Sequence, residues 1–211
     1  MLVLRFFDVA NALTLSGLAA SLACALLSAS GRAAYAVVAL IAAGLCDFFD
    51  GAVARRLART DEQRDFGGHL DSVVDACAFG LAPAVLLYSI GLRSIAELAL
   101  LLALASAAVW RLAYFSTVGF DEVGDRRHYV GLPTTFVALV LPLVLLFGFA
   151  GPEVLRVAGV VSAIVLSLAM VSPLRIPKPG GKWYAILFVL AVAVIGIYAA
   201  FAERFPAPPM S

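Results

Sequence analysis

Seven long apolar stretches constrain this chain more than any other feature of its sequence. Each is close to the length of about 17–25 residues that an α-helix needs to cross a bilayer, and short polar connections separate them. Of the 211 residues, 63% are hydrophobic, and no long basic run typical of nucleic-acid-binding proteins is present. We expect an all-α, polytopic transmembrane helical bundle of about seven spans, with residues 1–211 forming a single integral-membrane domain. The expected spans are 12–29, 34–56, 70–91, 95–117, 133–150, 154–173 and 182–202.

A short segment from Leu2 to Val9 precedes the first span. Its mixed composition favours a position at the membrane surface. A secretory signal is the alternative, because Arg5 is followed by an apolar run and by small residues at 28–30. Asp8 and Asn11 interrupt the start of that run. We therefore expect a short interfacial segment followed by a first helix that is retained.

Positive charge is distributed unevenly over the expected loops. The loops after the second, fourth and sixth spans hold most of it, whereas each alternate loop holds one arginine. Because cytoplasmic loops are enriched in Lys and Arg, we expect the N-terminus and the loops 57–69, 118–132 and 174–181 to face the cytoplasm. The basic residues at these loops are Arg55, Arg56, Arg59, Arg64, Arg126, Arg127, Arg175, Lys178 and Lys182.

Four aspartates interrupt the apolar sequence in two pairs. Asp47 and Asp50 lie near the end of the second span, and Asp71 and Asp75 lie at the start of the third. Spacings of three and four residues place each pair on one helix face, and the expected topology puts both pairs at the depth of Arg111. Carboxylates in a membrane need compensation, which hard divalent cations supply through oxygen ligands. The pairs therefore predict a site for two divalent cations, Mg²⁺ or Mn²⁺.

Small residues and one arginine accompany the acids. Gly51 and Ala54 follow on the face of the first pair, and Gly67 precedes the second pair by about one turn, which leaves room for a large ligand. Arg55 is a cation suited to phosphate oxygens. Two other interpretations stay open: small residues can serve helix packing alone, and acids in a membrane can belong to a divalent-cation transporter. Transporter sites, however, lie near the bilayer midplane in repeated halves.

From Asp47 to Asp75 the sequence follows the pattern D-x2-D-G-x2-A-R-x11-G-x3-D-x3-D. This pattern resembles the signature of the CDP-alcohol phosphatidyltransferase family. The resemblance implies that the four aspartates bind two metal ions, that Asp75 deprotonates an acceptor alcohol, and that neighbouring residues bind a CDP-linked donor. The donor-binding residues implied, including an N-x-x-T stretch at the start of the first helix, are Asn11, Thr14, Gly51, Ala54, Arg55 and Gly67.

One departure from the family pattern concerns the loop between Arg55 and Gly67. Eleven residues separate the two, which is more than in many members of the family. The additional residues fall in the cytoplasmic loop and leave the acids on the helices unaffected. For this reason no donor contact from the loop is carried over by resemblance.

Four later stretches resemble those of family members that use serine as the acceptor. They are Phe79–Ala84, Arg111–Phe115, Gly131–Thr135 and Ile176–Pro179. The resemblance implies transfer of the phosphatidyl group from CDP-diacylglycerol to the hydroxyl of L-serine, with release of CMP. Alternative acceptors are choline, glycerol phosphate and inositol phosphate, and an archaeal member would use an ether-linked donor.

An acceptor with a carboxylate needs a cation in its pocket. Arg111 lies at the expected depth, and Thr134 and Thr135 offer hydroxyls beside it. Arg126 and Arg127 compete for this role, and a structural ion pair with an aspartate is the alternative for Arg111. Members of the family tend to be homodimers, so we expect a homodimer in contact with membrane lipid, with the active site facing the cytoplasm.

Overall fold

The computed structural model describes residues 3–123, 126–177 and 182–206, and most of these residues are helical. Six helices in this part of the chain are long and apolar enough to cross a membrane. The chain is therefore an integral membrane protein of the expected helical class. The α-helices of the described residues are α1 (Val9–Ala29), α2 (Ala33–Ala54), α3 (Asp61–Asp75), α4 (Ala82–Ser89), α5 (Ile95–Val118), α6 (Val137–Leu145), α7 (Pro152–Val171) and α8 (Lys182–Ala200).

The N-terminal segment packs against α3. A 3₁₀ helix, Val3–Phe6, precedes α1, and the ring of Phe6 stacks on that of Phe66 with 4.6 Å between centroids. Asp8 caps α1, since its carboxylate accepts a hydrogen bond of 2.9 Å from the amide of Asn11 and so satisfies one of the free amides that open a helix. Residue 2, where the interfacial segment was expected to begin, lies outside the described residues.

The third span begins at Asp61, not at residue 70 as the sequence predicted. A π-helical turn, Ala76–Leu81, joins α3 to α4, so that one helix runs from Asp61 to Ser89. Thr60 and Gln63 form a capping box at its start, which stabilises the first turn. The loop expected at 57–69 therefore ends at the start of α3. The sequence prediction placed the helix start too late because the first turns of α3 are polar, and a search for apolar spans does not detect them.

The fifth expected span, 133–150, is shorter than the six long helices of the described residues. Its α-helical part, α6, lies between two 3₁₀ helices, Thr134–Phe136 and Leu146–Ala150. Pro142 interrupts the backbone hydrogen bonds within α6, and the hydroxyl of Tyr198 donates to the carbonyl of Pro142 at 2.8 Å. The seven expected spans thus correspond to six long helices and this shorter one.

A small antiparallel sheet, which the sequence did not predict, joins two connections between helices. Its strands β1 (Asp121–Val123), β2 (Arg126–Val130) and β3 (Arg175–Pro177) pair in that order. Strands this short, with several charged residues, lack the apolar alternation by which a strand is identified. The sheet ties the connection after α5 to the connection after α7.

Close packing around α2 fixes the position of its last turns. Gly17 of α1 lies against Cys46, and Gly44 lies against Ala138 of α6, where an added Cβ would collide. Small residues at such contacts allow helices in a membrane to approach closely. The turn of α2 that ends at Asp47 is therefore held from two sides.

Candidate active site

Three of the four aspartates converge between α2 and α3. Carboxylate oxygens of Asp47, Asp71 and Asp75 lie within 4.8 Å of one another, and Asp75 is only 7% exposed. Three carboxylates this close repel one another unless cations offset their charge. The all-oxygen donor set fits a hard divalent cation such as Mg²⁺ or Mn²⁺, so this group could hold a metal ion.

The fourth aspartate, Asp50, lies beside this group and not within it. Its carboxylate is 5% exposed and accepts a hydrogen bond of 2.6 Å from the hydroxyl of Thr14. Thr14 therefore links α1 to the acid-bearing turn of α2. That Asp50 also binds a metal ion stays a prediction, as does the number of ions.

A polar cavity of about 420 Å³ opens between the ends of α1, α2 and α3. All six residues predicted to bind a CDP-linked donor line it. Asp50 and Asp71 lie in the same lining, together with three arginines. The lining residues on which the argument depends are Asn11, Thr14, Gly51, Ala54, Arg55, Gly67, Arg59 and Arg64. We call this space the donor cavity.

Within the donor cavity, Asn11 is occupied by contacts inside the protein. Its Nδ2 donates to the carbonyl of Phe6 at 2.7 Å, and its Oδ1 accepts from Arg59 Nη2 at 3.1 Å. Arg59 also donates to both carboxylate oxygens of Asp8. Asn11 thus holds Arg59 in place, a role that the sequence did not indicate.

A second polar cavity, of about 400 Å³, lies on the other side of the acids. Asp47, Asp71 and Asp75 line it together with Arg111 and Thr135. We call it the acceptor cavity. Arg64 and Gly68 line both polar cavities, so the two spaces are neighbours along α3.

Arg111 is buried in the acceptor cavity and forms no salt bridge with a described residue. Its side chain lies over the rings of Phe115 and Tyr129, at 4.9 and 5.5 Å, and the residue is 6% exposed. Its Nε and Nη2 have no hydrogen-bond partner among the described residues, nor does a salt bridge join it to any carboxylate of that part of the chain. The structural ion pair considered for Arg111 is therefore not formed with the described aspartates.

The other predicted acceptor residues differ in position. Thr135 lines the acceptor cavity, whereas Thr134 is 1% exposed, is absent from the lining of that cavity, and has a hydroxyl without a partner among the described residues. The side chains of Arg126 and Arg127, and the whole of Lys178, lie outside what the structure describes.

An apolar cleft of about 170 Å³ reaches the acids from the side of the bundle. Phe48, Tyr184 and Phe188 line it with further residues of α2, α6 and α8, and Asp47 lies at its polar end. Tyr129 and Thr135 line both this cleft and the acceptor cavity. The cleft, the acceptor cavity and the donor cavity thus follow one another past the acids.

Several lining residues were missed at the sequence level. Tyr129 is on β2, a strand that the sequence did not predict, and Tyr184 is in the first turn of α8. Arg59 and Arg64 were expected only as basic residues of a cytoplasmic loop, and no role was expected for His69. The one available signal was their position between Arg55 and Asp71, inside the acidic motif itself.

The residues of the candidate site lie within the part of the chain that matches a known protein family. The CDP-alcohol phosphatidyltransferase family model matches residues 7–171, which include every acid and cavity residue from Asp8 to Thr135. The chain is 33% identical over 153 residues to the CDP-diacylglycerol–serine O-phosphatidyltransferase of Methanocaldococcus jannaschii, covering 72% of this chain and 69% of the relative.

Two further relatives are similar. The chain is 31% identical over 158 residues to the archaetidylserine synthase of Methanothermobacter thermautotrophicus, covering 74% of this chain and 64% of that protein. It is 31% identical over 144 residues to the CDP-diacylglycerol–serine O-phosphatidyltransferase of Bacillus subtilis, covering 67% and 74%. Together with the acidic motif and the cavities around it, these matches show that the chain is a phosphotransferase and belongs to the CDP-alcohol phosphatidyltransferase family.

Proposed function

We propose that this protein transfers the phosphatidyl group of CDP-diacylglycerol to the hydroxyl of L-serine, giving phosphatidylserine and CMP. The observation that carries the proposal is the meeting of three spaces at one group of acids. Asp71 lines the donor and acceptor cavities, and Asp47 lines the acceptor cavity and the apolar cleft. A lipid–nucleotide donor and a small polar acceptor both need access to one reacting phosphorus, and this arrangement supplies it.

The donor cavity suits the CDP part of the donor. Arg55 and Arg64 supply positive charge to its lining, and arginine forms strong paired hydrogen bonds with phosphate oxygens. Gly51 and Gly67 add no side-chain bulk to its lining. The apolar cleft beside Asp47 offers the acyl chains a path from the membrane to the reacting phosphate.

The acceptor cavity suits serine through Arg111. A buried guanidinium without a counter-charge is costly, and a carboxylate bound in the acceptor cavity, which Arg111 lines, would supply that charge. Phe115 and Tyr129, which contact each other, both lie against the guanidinium of Arg111. The relatives whose names include serine support this choice of acceptor, and choline, which has no carboxylate, would leave Arg111 unpaired.

Asp75 is the residue that accepts the proton. It is buried in the acceptor cavity, beside Asp47 and Asp71, and a base has to reach the hydroxyl directly or through one water molecule. The serine Oγ–H bond breaks and its proton passes to Asp75, while Oγ bonds to the lipid-linked phosphorus. The bond from that phosphorus to the oxygen of CMP breaks, and CMP leaves with the electron pair. Divalent cations bound by the acids would offset the negative charge of the diphosphate.

An acceptor panel tests the proposed function. Purified protein receives labelled CDP-diacylglycerol and Mg²⁺ or Mn²⁺, with serine, choline, glycerol phosphate or inositol phosphate in turn, and the lipid product is identified by mass spectrometry. We expect a lipid product only when serine is the acceptor. A parallel series with an ether-linked CDP donor decides between the ester and ether lipid. Product with another alcohol and none with serine would refute the serine assignment.

We further propose that the site faces the cytoplasm and that the protein works as a homodimer. The cytoplasmic orientation rests on the excess of Arg and Lys in the loops after α2, α5 and α7. The homodimer rests on the resemblance to the family. Labelling of single cysteines from one side of the membrane tests the orientation. The molar mass of the protein in detergent tests the homodimer.

A further inference from the structure

The loop before α3 and the first turns of α3 are fastened to the N-terminal segment by three contacts. In α3, the ring of Phe66 stacks on Phe6 at an interplanar angle of 10°, and Glu62 pairs with Arg5 at 3.0 Å. In the loop, Arg59 pairs with Asp8 at 2.6 Å. This loop, the part of the motif that departs from the family spacing, therefore forms a fixed wall of the donor cavity.

The guanidinium of Arg59 has one nitrogen left for a ligand. Its Nε donates to Asp8 Oδ2 at 2.8 Å, and its Nη2 donates to Asp8 Oδ1 and to Asn11 Oδ1. No hydrogen bond from Nη1 to a described residue is found, although the side chain is only 8% exposed. Nη1 points to Gly67, where an added Cβ would come within 3.0 Å of it, and Arg59 lines the donor cavity.

Arg59 is bound about one helical turn from the acids, toward the ends of α1 and α3 at which these helices begin. Its partners are Asp8 and Asn11, which open α1, whereas Thr14, the partner of Asp50, is about one turn deeper in α1. Gly67 likewise precedes Asp71 by about one turn of α3, which corresponds to about 5–6 Å along the helix. With the reacting phosphorus at the acids, the nucleoside is the part of the donor that reaches this level.

The charge of Arg59 also favours a base over a phosphate. Asp8 offsets the positive charge of Arg59 at hydrogen-bond distance, so Nη1 presents two N–H donors with little net charge. One of these N–H groups can donate to N3 of cytosine, which is an acceptor. Uracil carries a hydrogen on N3 and would oppose that donor.

We propose that Arg59 recognises the cytosine base of the donor through Nη1, and that Asp8 and Asn11 position it for this contact. The inference rests on the proposed function, because it takes the donor cavity to hold a cytidine nucleotide. It makes Arg59 a residue that determines nucleotide specificity. The longer loop then has a role in the reaction of this chain.

Nucleotide binding to the full-length protein in detergent, with Mg²⁺ present, tests this inference by calorimetry. The ligands are CMP and UMP, and the variants are Arg59→Gln and Arg59→Lys. Arg56→Gln is the matched control, since Arg56 is an exposed arginine of the same loop that is absent from the donor-cavity lining. Arg59→Lys keeps a cation for Asp8 but lacks the fork that can bind Asp8 and a base together, and thermal unfolding verifies that each variant is folded.

We expect the wild-type protein and Arg56→Gln to prefer CMP to UMP. Both Arg59 variants should bind CMP about tenfold more weakly, the loss typical of a hydrogen bond that involves a charged group, while UMP affinity changes little. Equal weakening of CMP and UMP would place the contact on the phosphate or ribose and overturn the inference. So would unchanged CMP binding, or no preference in the wild type. If the folded wild-type protein bound neither nucleotide, the proposed function itself would fail.

Discussion

Arg111 is the residue whose surroundings are hardest to explain without a ligand. It is buried against two neighbouring aromatic rings, and two of its nitrogens lack hydrogen-bond partners among the described residues. Leaving a charged donor buried and unsatisfied costs more than an ordinary hydrogen bond contributes. The acids across the acceptor cavity offset part of the charge from a distance, and the carboxylate of a bound acceptor would complete the arrangement.

Replacement of Arg111 by Gln or Lys is expected to affect serine more than the donor. Loss of the paired contact with the serine carboxylate should raise the KM for serine at least about tenfold and change the KM for CDP-diacylglycerol less than about twofold. Initial rates over a matrix of both substrates measure the two constants. Arg32→Gln, which removes an exposed arginine between α1 and α2, serves as the control. Equal increases in both KM values would contradict the assignment of Arg111 to the acceptor.

At the residue scale, the sequence indicated that acids of the two helices meet, but it did not indicate all of the residues around them. Asp47, Asp71 and Asp75 meet because helix periodicity places each pair on one face, and periodicity can be read from spacing alone. Arg59 and Tyr129 could not be found in this way. Each reaches the site through contacts between segments distant in sequence, Asp8 with Arg59 and Arg111 with Tyr129.

At the scale of the structural elements, the Asp8–Arg59 contact between the N-terminal segment and the loop before α3 is expected to depend on pH. Burial alone would raise the pKa of Asp8, but the hydrogen bonds from Arg59 and from the amide of Asn11 outweigh it and hold the pKa below the usual 3.8. A carboxyl group with a lowered pKa stabilises the folded state above its usual pKa, and this contribution disappears as the pH falls through the lowered value.

Asp8→Asn should therefore destabilise the protein at neutral pH and progressively less in acid. We expect its unfolding temperature to lie below that of the wild type by a constant difference above pH 3.8, and the difference to shrink only below that value. Thermal unfolding in detergent over a pH series measures it. A difference that already vanished near neutral pH would show that Asp8 is not held by Arg59.

The small sheet also positions the acceptor cavity, and Gly131 is the residue that allows it. Gly131 follows β2 with a φ of +73°, and an added Cβ would collide with the carbonyl of Met170. Gly131→Ala should lower the unfolding temperature and the activity, because both strain and collision displace the segment that carries Tyr129 and Thr135. Gly196→Ala, in α8 with open space around it, should change neither. An unaffected Gly131→Ala would show that the sheet does not hold the cavity.

The sequence predicted the helices whose length and apolar composition are set by the thickness of the bilayer. Apolar length identified α1, α2, α5, α7 and α8 because bilayer thickness sets a minimum for each. The sequence did not predict the polar start of α3, the π-helical turn after Asp75 or the sheet. Helix capping, a local change of helix type and strand pairing have little effect on hydropathy, which was the basis of the prediction. The π-helical turn is notable because such turns often occur at functional sites.

For the whole molecule, the arrangement of charges predicts how it lies in the membrane. On a background with Cys24, Cys46 and Cys77 replaced by Ala, a single cysteine is placed at exposed Ala58 or at exposed Ile95. In intact cells a membrane-impermeant thiol reagent should label Ile95→Cys, and it should label Ala58→Cys only after permeabilisation. The opposite pattern would place the active site on the outer face.

Membership of the family decides between the classes of protein that the acids alone left open. A divalent-cation transporter would need a path for ions through the bundle. Here the acids adjoin the donor cavity, the acceptor cavity and the apolar cleft. This arrangement supports the proposed role of the chain, which is to bring lipid, nucleotide and alcohol together at one group of acids.

The most direct test of this account is the stoichiometry of the reaction with and without Asp75. Purified wild-type protein, CDP-diacylglycerol, serine and Mg²⁺ or Mn²⁺ should yield CMP and phosphatidylserine in equal amounts. Asp75→Asn should lose at least about 99% of this rate, in line with the effect of removing a general base, whereas Glu153→Gln, an exposed acid of α7, should retain it. Serine-dependent CMP release at the full rate by Asp75→Asn would contradict the account.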